Sequence, residues 1–168
     1  MDWKEEYKKR LVSLQDAARQ IKSGEFVGSA LAIGACSPDF YDAILDRWEE
    51  LRDVIISDCV QVRPSRLYDV ELMTKLQGHI NFDPSFGMPL ARKLIETRMP
   101  DFYIEQSHDL GDRYGRWSDV YVTQVTPPNE QGWVNLGLTN FYTMHAIRED
   151  GLRENSGLPL ARLMTRCR

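Results

Sequence analysis

The chain lacks the features that mark several large classes of protein. Its 21 Lys and Arg stand against 25 Asp and Glu, which gives a net charge of -4, and no run of five like charges occurs. The basic surface that nucleic-acid binding needs is therefore missing. No apolar stretch approaches the ~20 residues that span a bilayer, and the acidic start MDWKEEYKKR is unlike a signal or transit peptide. We expect no nucleic-acid partner, no membrane partner and a cytoplasmic location.

Motifs for metals, nucleotides and common nucleophiles are also missing. The three cysteines, Cys36, Cys59 and Cys167, are far apart and form no C-x-x-C, so neither a disulfide framework nor a zinc site is indicated. The three histidines are equally dispersed, with no H-x-x-x-H spacing. The chain contains no G-x-x-x-x-G-K-[ST], no G-x-G-x-x-G and no G-x-S-x-G. We predict no metal site and no resident cofactor.

The pattern of apolar residues predicts alternating helices and strands. At 168 residues and 42% apolar, the chain is long enough for one core and one domain. Such alternation is typical of an α/β domain in which an open, largely parallel sheet is covered by helices on both faces. The predicted helices cover residues 14–21, 39–52, 70–76 and 89–97; the predicted strands cover residues 26–33, 53–60 and 102–106; residues 78–88 are predicted as turns.

The stretch DVYVTQVTPPNEQGWVNLG, residues 119–137, has the clearest local pattern. Residues 119–126 are rich in Val, Thr and Tyr and predict a buried strand, which Pro127 and Pro128 must end because proline cannot donate to a ladder. Residues 129–132 predict a turn, and residues 133–136 predict a returning strand. Thr139 is a candidate N-cap for a helix that runs to about residue 147.

Two places suit ligand binding, because open α/β sheets bind ligands beyond the carboxyl ends of their strands. Gly34 to Pro38 joins a strand to a helix whose free amides favour an anionic oxygen, although an ordinary turn explains the same residues. Cys36 is either a thiol activated by the helix start or a small buried residue. Gln124 to Gly137 is the second place. Gln124 either orients a substrate carbonyl or is satisfied by backbone groups, and Gly132 either lines the site or serves the turn.

These stretches resemble the acetyl-CoA hydrolase/transferase family, whose best-known members are 4-hydroxybutyrate and butyrate:acetate CoA-transferases. Residues 119–137 are similar to the family block DVAxxQVSPPDExGYxSxG, with Asn129 where aspartate is usual. Residues 13–27 are similar to the opening S-x-x-E-A-V-x-x-I-K-S-G-D-x-V, and residues 61–110 match only loosely.

The resemblance implies a CoA-transferase type of fold and one half of a two-part enzyme, the N-terminal half. In this family a glutamate attacks an acyl-CoA thioester and passes CoA to an incoming acid through a glutamyl-CoA intermediate. That glutamate belongs to the second half, so we assign no catalytic residue here. The implied substrates are a coenzyme A thioester, an acyl-CoA, and a short-chain carboxylate, and the implied partners are a second-half polypeptide or further copies of the chain. The expected substrate cleft is lined by Gly34, Ala35, Cys36, Ser37, Pro38, Gln124, Pro127, Asn135 and Gly137.

The resemblance ends near residue 147. We therefore expect a domain over residues 1–147 and a divergent tail over residues 148–168, which reads REDGLRENSGLPLARLMTRCR, and disorder is one interpretation of this tail. Three causes explain this divergence: a truncated or frameshifted gene, a natural split in which another polypeptide completes the enzyme, or a tail on an independent domain. Two other functions stay open. One is an inactive remnant or interaction domain that pairs with itself or with a partner half. The other is a sugar-phosphate isomerase-like domain, which a pocket of clustered Asp, Glu and Lys would favour.

Overall fold

The computed structural model describes residues 2–32, 37–137 and 140–151, with side chains described as far as residue 147. Four parallel strands form one sheet in the order β3-β2-β1-β4. The strands are β1 (Phe26–Ser29), β2 (Val54–Asp58), β3 (Ile80–Pro84) and β4 (Val120–Val122). The helices are α1 (Trp3–Arg10), α2 (Leu14–Ala18), α3 (Pro38–Leu45), α4 (Val70–Lys75), α5 (Pro89–Glu96), α6 (Leu110–Trp117) and α7 (Thr143–Gly151), with a 3₁₀ turn over Arg66–Tyr68.

Helices cover both faces of the sheet, as the alternation of strand side chains requires. Val27 and Ile56 point toward the larger core, which α2, α3, α4 and α5 complete. Phe26 and Ala30 belong to a second core, which α6 and α7 complete. The predicted class, an α/β domain with a parallel sheet covered on both faces, is confirmed.

Local sequence explains why α3 begins where it does. Ser37 is the N-cap and Pro38 occupies the first turn, as predicted from their preference for these positions. Phe40 and Ile44 lie one turn apart on the same face, and both are fully buried in the larger core. The helix ends at Leu45 rather than near residue 52, and residues 46–50 continue as turns.

Two predicted segments were wrong. Residues 78–88 contain strand β3, although they were predicted as turns; only Ile80 and Phe82 supply an apolar alternation there, among Asn, Asp, Pro and Ser. Residues 102–106 form no strand, and Ile104 is 92% exposed. The missing strand is thus β3, which pairs with β2 along its whole length.

The region after β4 also differs in detail from the prediction. Residues 133–136 form no strand. Two backbone hydrogen bonds join the two sides of the turn, from the Thr126 amide to the Asn135 carbonyl oxygen and from the Asn129 amide to the Trp133 carbonyl oxygen, both at 2.9 Å. The following helix, α7, begins at Thr143. The proposed cap Thr139 lies outside the described residues. Among the helices of the described ranges, none is long and apolar enough to cross a membrane.

Candidate functional site

Polar residues collect where the strands end. Ser29 closes β1, Asp58 closes β2, and Thr123 follows β4, and all three are buried. The Ala30 amide donates to the Val122 carbonyl oxygen at 3.0 Å, so the segments that leave β1 and β4 start side by side. The carboxyl ends of the strands are where open α/β sheets bind ligands, and here they carry the polar side chains.

Asp58 is the most unusual group at this edge. It is 1% exposed, and neither carboxyl oxygen has a hydrogen bond of normal geometry within the described residues. Burial raises the pKa of the Asp58 carboxyl to about 7, because the ionised form loses its hydration. The hydroxyls of Tyr41 and Ser29 and the Cys59 amide oppose this shift but do not cancel it. Asp58 is therefore a carboxyl that changes its charge near neutral pH.

The described part of the first predicted site begins α3, the helix that also carries a neighbour of this carboxyl. Ser37 and Pro38 are both buried, and the Ser37 hydroxyl donates to the Asp39 carboxylate at 2.9 Å. Tyr41, one turn further along α3, is the residue that approaches Asp58. Gly34, Ala35 and Cys36 lie outside the described residues, so their contribution stays a prediction.

The second predicted site is a solvent-facing turn that follows β4. Pro127, Asn135 and Gly137 are exposed, and Gln124 is half-buried. The Asn129 side-chain oxygen accepts from the amides of Gln131 and Trp133 at 3.0 and 2.9 Å. Asparagine can replace the family's aspartate in this contact, because the turn requires an acceptor oxygen and no charge.

Positive φ angles explain both glycines of this turn. Gly132 has φ 86° and Gly137 has φ 73°, which is the left-handed region that glycine enters without strain. Gly132 also lies against the indole of Trp3, where a Cβ would come within 2.4 Å of the ring. The turn is thereby attached to α1, and its own geometry accounts for both glycines.

A third polar group, around Arg113, escaped the prediction. Asp109 lies at the start of α6, and Asp112, Arg113 and Arg116 lie within this helix; no helix was predicted over these residues. Arg113 is 4% exposed and is stacked by Tyr103, with its guanidinium carbon 3.8 Å from the ring centroid. The i, i+4 pair Leu110 and Tyr114, both buried, was the available signal for an amphipathic helix.

Arg113 points toward the end of β3. Its Nη1 lies 3.4 Å from the Ser85 hydroxyl and 3.7 Å from the Glu105 carboxylate. Asp83, buried on β3, has its pKa raised to about 6, chiefly by burial, while the Asp101 amide and the charge of Arg113 oppose the shift. A buried cation and a partly neutral carboxyl therefore lie near one another at this end of the sheet.

His79 and Cys59 have environments that suit structural roles. The ring Nδ1 of His79 lies 2.7 Å from the Trp48 carbonyl oxygen. Cys59 is a free, buried thiol whose pKa burial and the nearby Asp58 raise to about 11, so it is a poor nucleophile. Across residues 2–32, 37–137 and 140–147, no group of three or more His, Cys, Asp and Glu side chains is arranged to hold a metal ion.

Comparison with known proteins gives two relatives by sequence. A probable butyrate:acetyl-CoA coenzyme A-transferase from Syntrophomonas wolfei is 46% identical over 137 residues, which is 79% of this chain and 29% of that protein. A succinyl-CoA:cyclohexane-1-carboxylate CoA transferase from Geobacter metallireducens is 28% identical over 150 residues, which is 88% of this chain and 33% of that protein. No family model matches the chain.

The fold has close structural counterparts. RipA from Yersinia pestis superimposes with a TM-score of 0.73 at 19% identity, over 89% of this chain and 36% of RipA. A mutant form of RipA gives 0.75 at 20% identity. At this identity the likeness concerns the fold alone. The chain spans about a third of the length of the proteins it matches. In sequence, therefore, this chain is similar to part of two CoA-transferases, and in fold it is similar to part of RipA.

Proposed function

We propose that the chain is the N-terminal part of a CoA-transferase or acyl-CoA hydrolase and moves CoA between a short-chain acyl-CoA and a carboxylate only together with the rest of such an enzyme. The observation that carries the proposal is the 46% identity to a probable butyrate:acetyl-CoA coenzyme A-transferase, of which this chain matches 29%. The relative's name supports CoA transfer, and its greater length supports the need for a further part.

The chemistry proposed for the complete enzyme uses a glutamate outside this chain. Its carboxylate attacks the thioester carbonyl and releases CoA thiolate, which leaves an acyl-glutamyl anhydride. The thiolate attacks the glutamyl carbonyl, forms a glutamyl-CoA thioester and releases the first acid as its carboxylate. The incoming carboxylate then repeats the two steps in reverse and leaves with CoA. Atoms and charges balance without an added cofactor.

The part played by this chain in the proposal is to shape one wall of the cleft. The buried Ser37 and Pro38 and the half-buried Gln124 lie in segments that follow β1 and β4. Asp58, between them and β3, is a carboxyl that is largely neutral below pH 7 and can then face an anionic substrate without repelling it. We propose these residues, with 34–36 and 127–137, as the substrate wall.

The test is reconstitution of transfer from two polypeptides. The full 168-residue chain is incubated with acetyl-CoA and butyrate, alone and with the separately expressed remainder of the Syntrophomonas relative, and butyryl-CoA is measured by mass spectrometry. The proposal expects product only in the mixture. A folded chain that gives no product with a folded remainder would contradict it, and product from the chain alone would place a nucleophile within these residues.

Exposed apolar side chains favour one second candidate, an inactive domain that pairs with itself or with a partner half. Five large side chains are among those left exposed: Phe86, Phe102, Ile104, Trp133 and Phe141. Such side chains mark an interaction site when they form one contiguous patch. If this candidate is correct, the chain will form a stable complex with itself or with the added remainder, measured by size-exclusion chromatography with light scattering. The same mixture will form no butyryl-CoA.

A further inference from the structure

The guanidinium of Arg113 has fewer partners than a buried cation needs. Its Nε and Nη2 are fully buried and have no hydrogen-bond partner among the described residues. Nη1 has two polar neighbours, at 3.4 Å (Ser85) and 3.7 Å (Glu105), whereas charge-assisted hydrogen bonds are normally about 2.7–2.9 Å long. The guanidinium edge that carries Nε and Nη2 is therefore the unpaired edge.

Aromatic rings account for the position of the guanidinium but leave that edge unpaired. The guanidinium carbon lies 3.8 Å from the Tyr103 centroid and 5.0 Å from the Trp117 centroid. Such rings attract the cation through their faces, and they provide no acceptor in the plane of the guanidinium. A buried charge is normally paired as well as stacked, because an unpaired one costs several kcal/mol. The arrangement suits a planar anion that binds in the guanidinium plane.

Two neighbouring carboxyls do not supply this anion. The Glu105 carboxylate lies 3.7 Å from Nη1, beyond hydrogen-bond distance, and its side chain is a quarter exposed. Asp83 forms no ion pair with Arg113, and one of its oxygens accepts from the Asp101 amide at 3.2 Å. The position opposite Nε and Nη2 therefore lacks a protein carboxylate within the described part of the chain.

We infer that Arg113 binds the carboxylate group of a small organic acid through its Nε and Nη2. A carboxylate matches this edge, because its two oxygens accept two parallel N–H bonds from a guanidinium. The apolar part of the acid has exposed aromatic surface nearby, since Trp117 is 46% exposed. The inference deepens the proposed function and rests on it for the identity of the acid, a short-chain carboxylate.

Entry of the acid requires a small movement of the covering segment. Tyr103 and Glu105 lie within residues 101–106, which form neither helix nor strand. Ile104, between them, is 92% exposed and anchors little. Displacing these residues costs few backbone hydrogen bonds, so we expect the segment to open and close on a carboxylate.

The test observes the Arg113 side chain directly. The full chain is labelled with ¹⁵N, and the Nε–Hε cross-peak of Arg113, identified by its absence in Arg113→Lys, is followed during titration with sodium butyrate at constant ionic strength. We expect a saturable downfield shift with butyrate and none with sodium chloride. Inorganic phosphate is a separate titration: a shift with phosphate and none with butyrate would assign the site to a phosphate group and overturn the inference.

Affinity gives the second readout and the matched control. Equilibrium dialysis with radiolabelled butyrate is expected to show at least about tenfold weaker binding in Arg113→Lys, since lysine cannot form the paired in-plane bonds. Arg116→Lys, on the exposed side of the same helix, is expected to bind as the parent does. Equal affinity in parent and Arg113→Lys would overturn the inference.

If Arg113→Lys does not fold, the butyrate titration of the parent cross-peak, assigned by triple-resonance spectra, decides alone. Neither readout needs CoA transfer, so failure here is distinct from failure of the proposed function.

Discussion

Replacing Asp58 by asparagine should change the pH dependence of stability. The carboxyl is buried and its pKa is raised from 3.8 to about 7, so the folded state holds a proton that the unfolded chain has already lost. The protonated carboxyl makes its full contribution to the free energy of unfolding below pH ~4. This contribution is lost as the pH rises to 7, at about 1.4 kcal/mol per pH unit. The total loss above pH 7 is roughly 4 kcal/mol, as an upper limit.

Asp58→Asn removes this proton linkage while keeping the shape of the side chain. The buried amide has its own cost of about 1–3 kcal/mol if its donors stay unpaired, so we expect a net gain over the parent of about 1–3 kcal/mol at pH 8 and no gain at pH 5. The free energy of unfolding of Asp58→Asn should still fall with pH up to pH ~6, with a smaller slope than in the parent, because the pKa of Asp83 is also raised.

Urea unfolding at pH 5, 6, 7 and 8 and constant ionic strength measures these free energies. The exposed Asp109→Asn is the matched control and should keep the slope of the parent. Parent stability that does not fall between pH 5 and 7, or an unchanged slope in Asp58→Asn, would refute the reasoning about this carboxyl.

Three glycine substitutions make further predictions about packing. Gly28→Ala should lower the free energy of unfolding by about 1–3 kcal/mol in urea melts, since the new Cβ would lie 2.6 Å from the Tyr114 ring and force α6 to shift. An unchanged free energy of unfolding would contradict this packing. Gly132→Ala should lose more stability than Gly137→Ala. Both have positive φ, but only at Gly132 would the new Cβ also overlap an indole, that of Trp3. Equal losses by thermal unfolding would mean that the indole does not hold the turn.

The sequence predicted the parts of the fold in which local preference and burial agree. Strand β2 begins with the apolar run at residues 54–56, and Ser37-Pro38 has the residue preferences of a helix start, so both elements were predicted. Strand β3 was missed because its polar residues, Asn81 and Asp83, lie on a face that only the tertiary structure covers. A short edge strand of this kind carries little periodic signal.

The candidate site was predictable in position but not in chemistry. The βα loop after β1 and the turn after β4 follow from strand order, and they do begin side by side. The burial of Asp58 and Arg113 did not follow, because charged residues are usually solvated and it is the tertiary structure that encloses these two. Tyr103 and Trp117, which stack on Arg113, lie ten residues before and four residues after it.

The most direct test of the central claim locates the covalent CoA intermediate. The full chain and the separately expressed remainder of the Syntrophomonas relative are mixed with acetyl-CoA, quenched, and analysed by intact-protein and peptide mass spectrometry. If the chain supplies a substrate wall and the nucleophile lies elsewhere, the CoA thioester adduct will be found on a glutamate of the added remainder and on none of this chain. A CoA adduct on any glutamate of this chain would contradict the account.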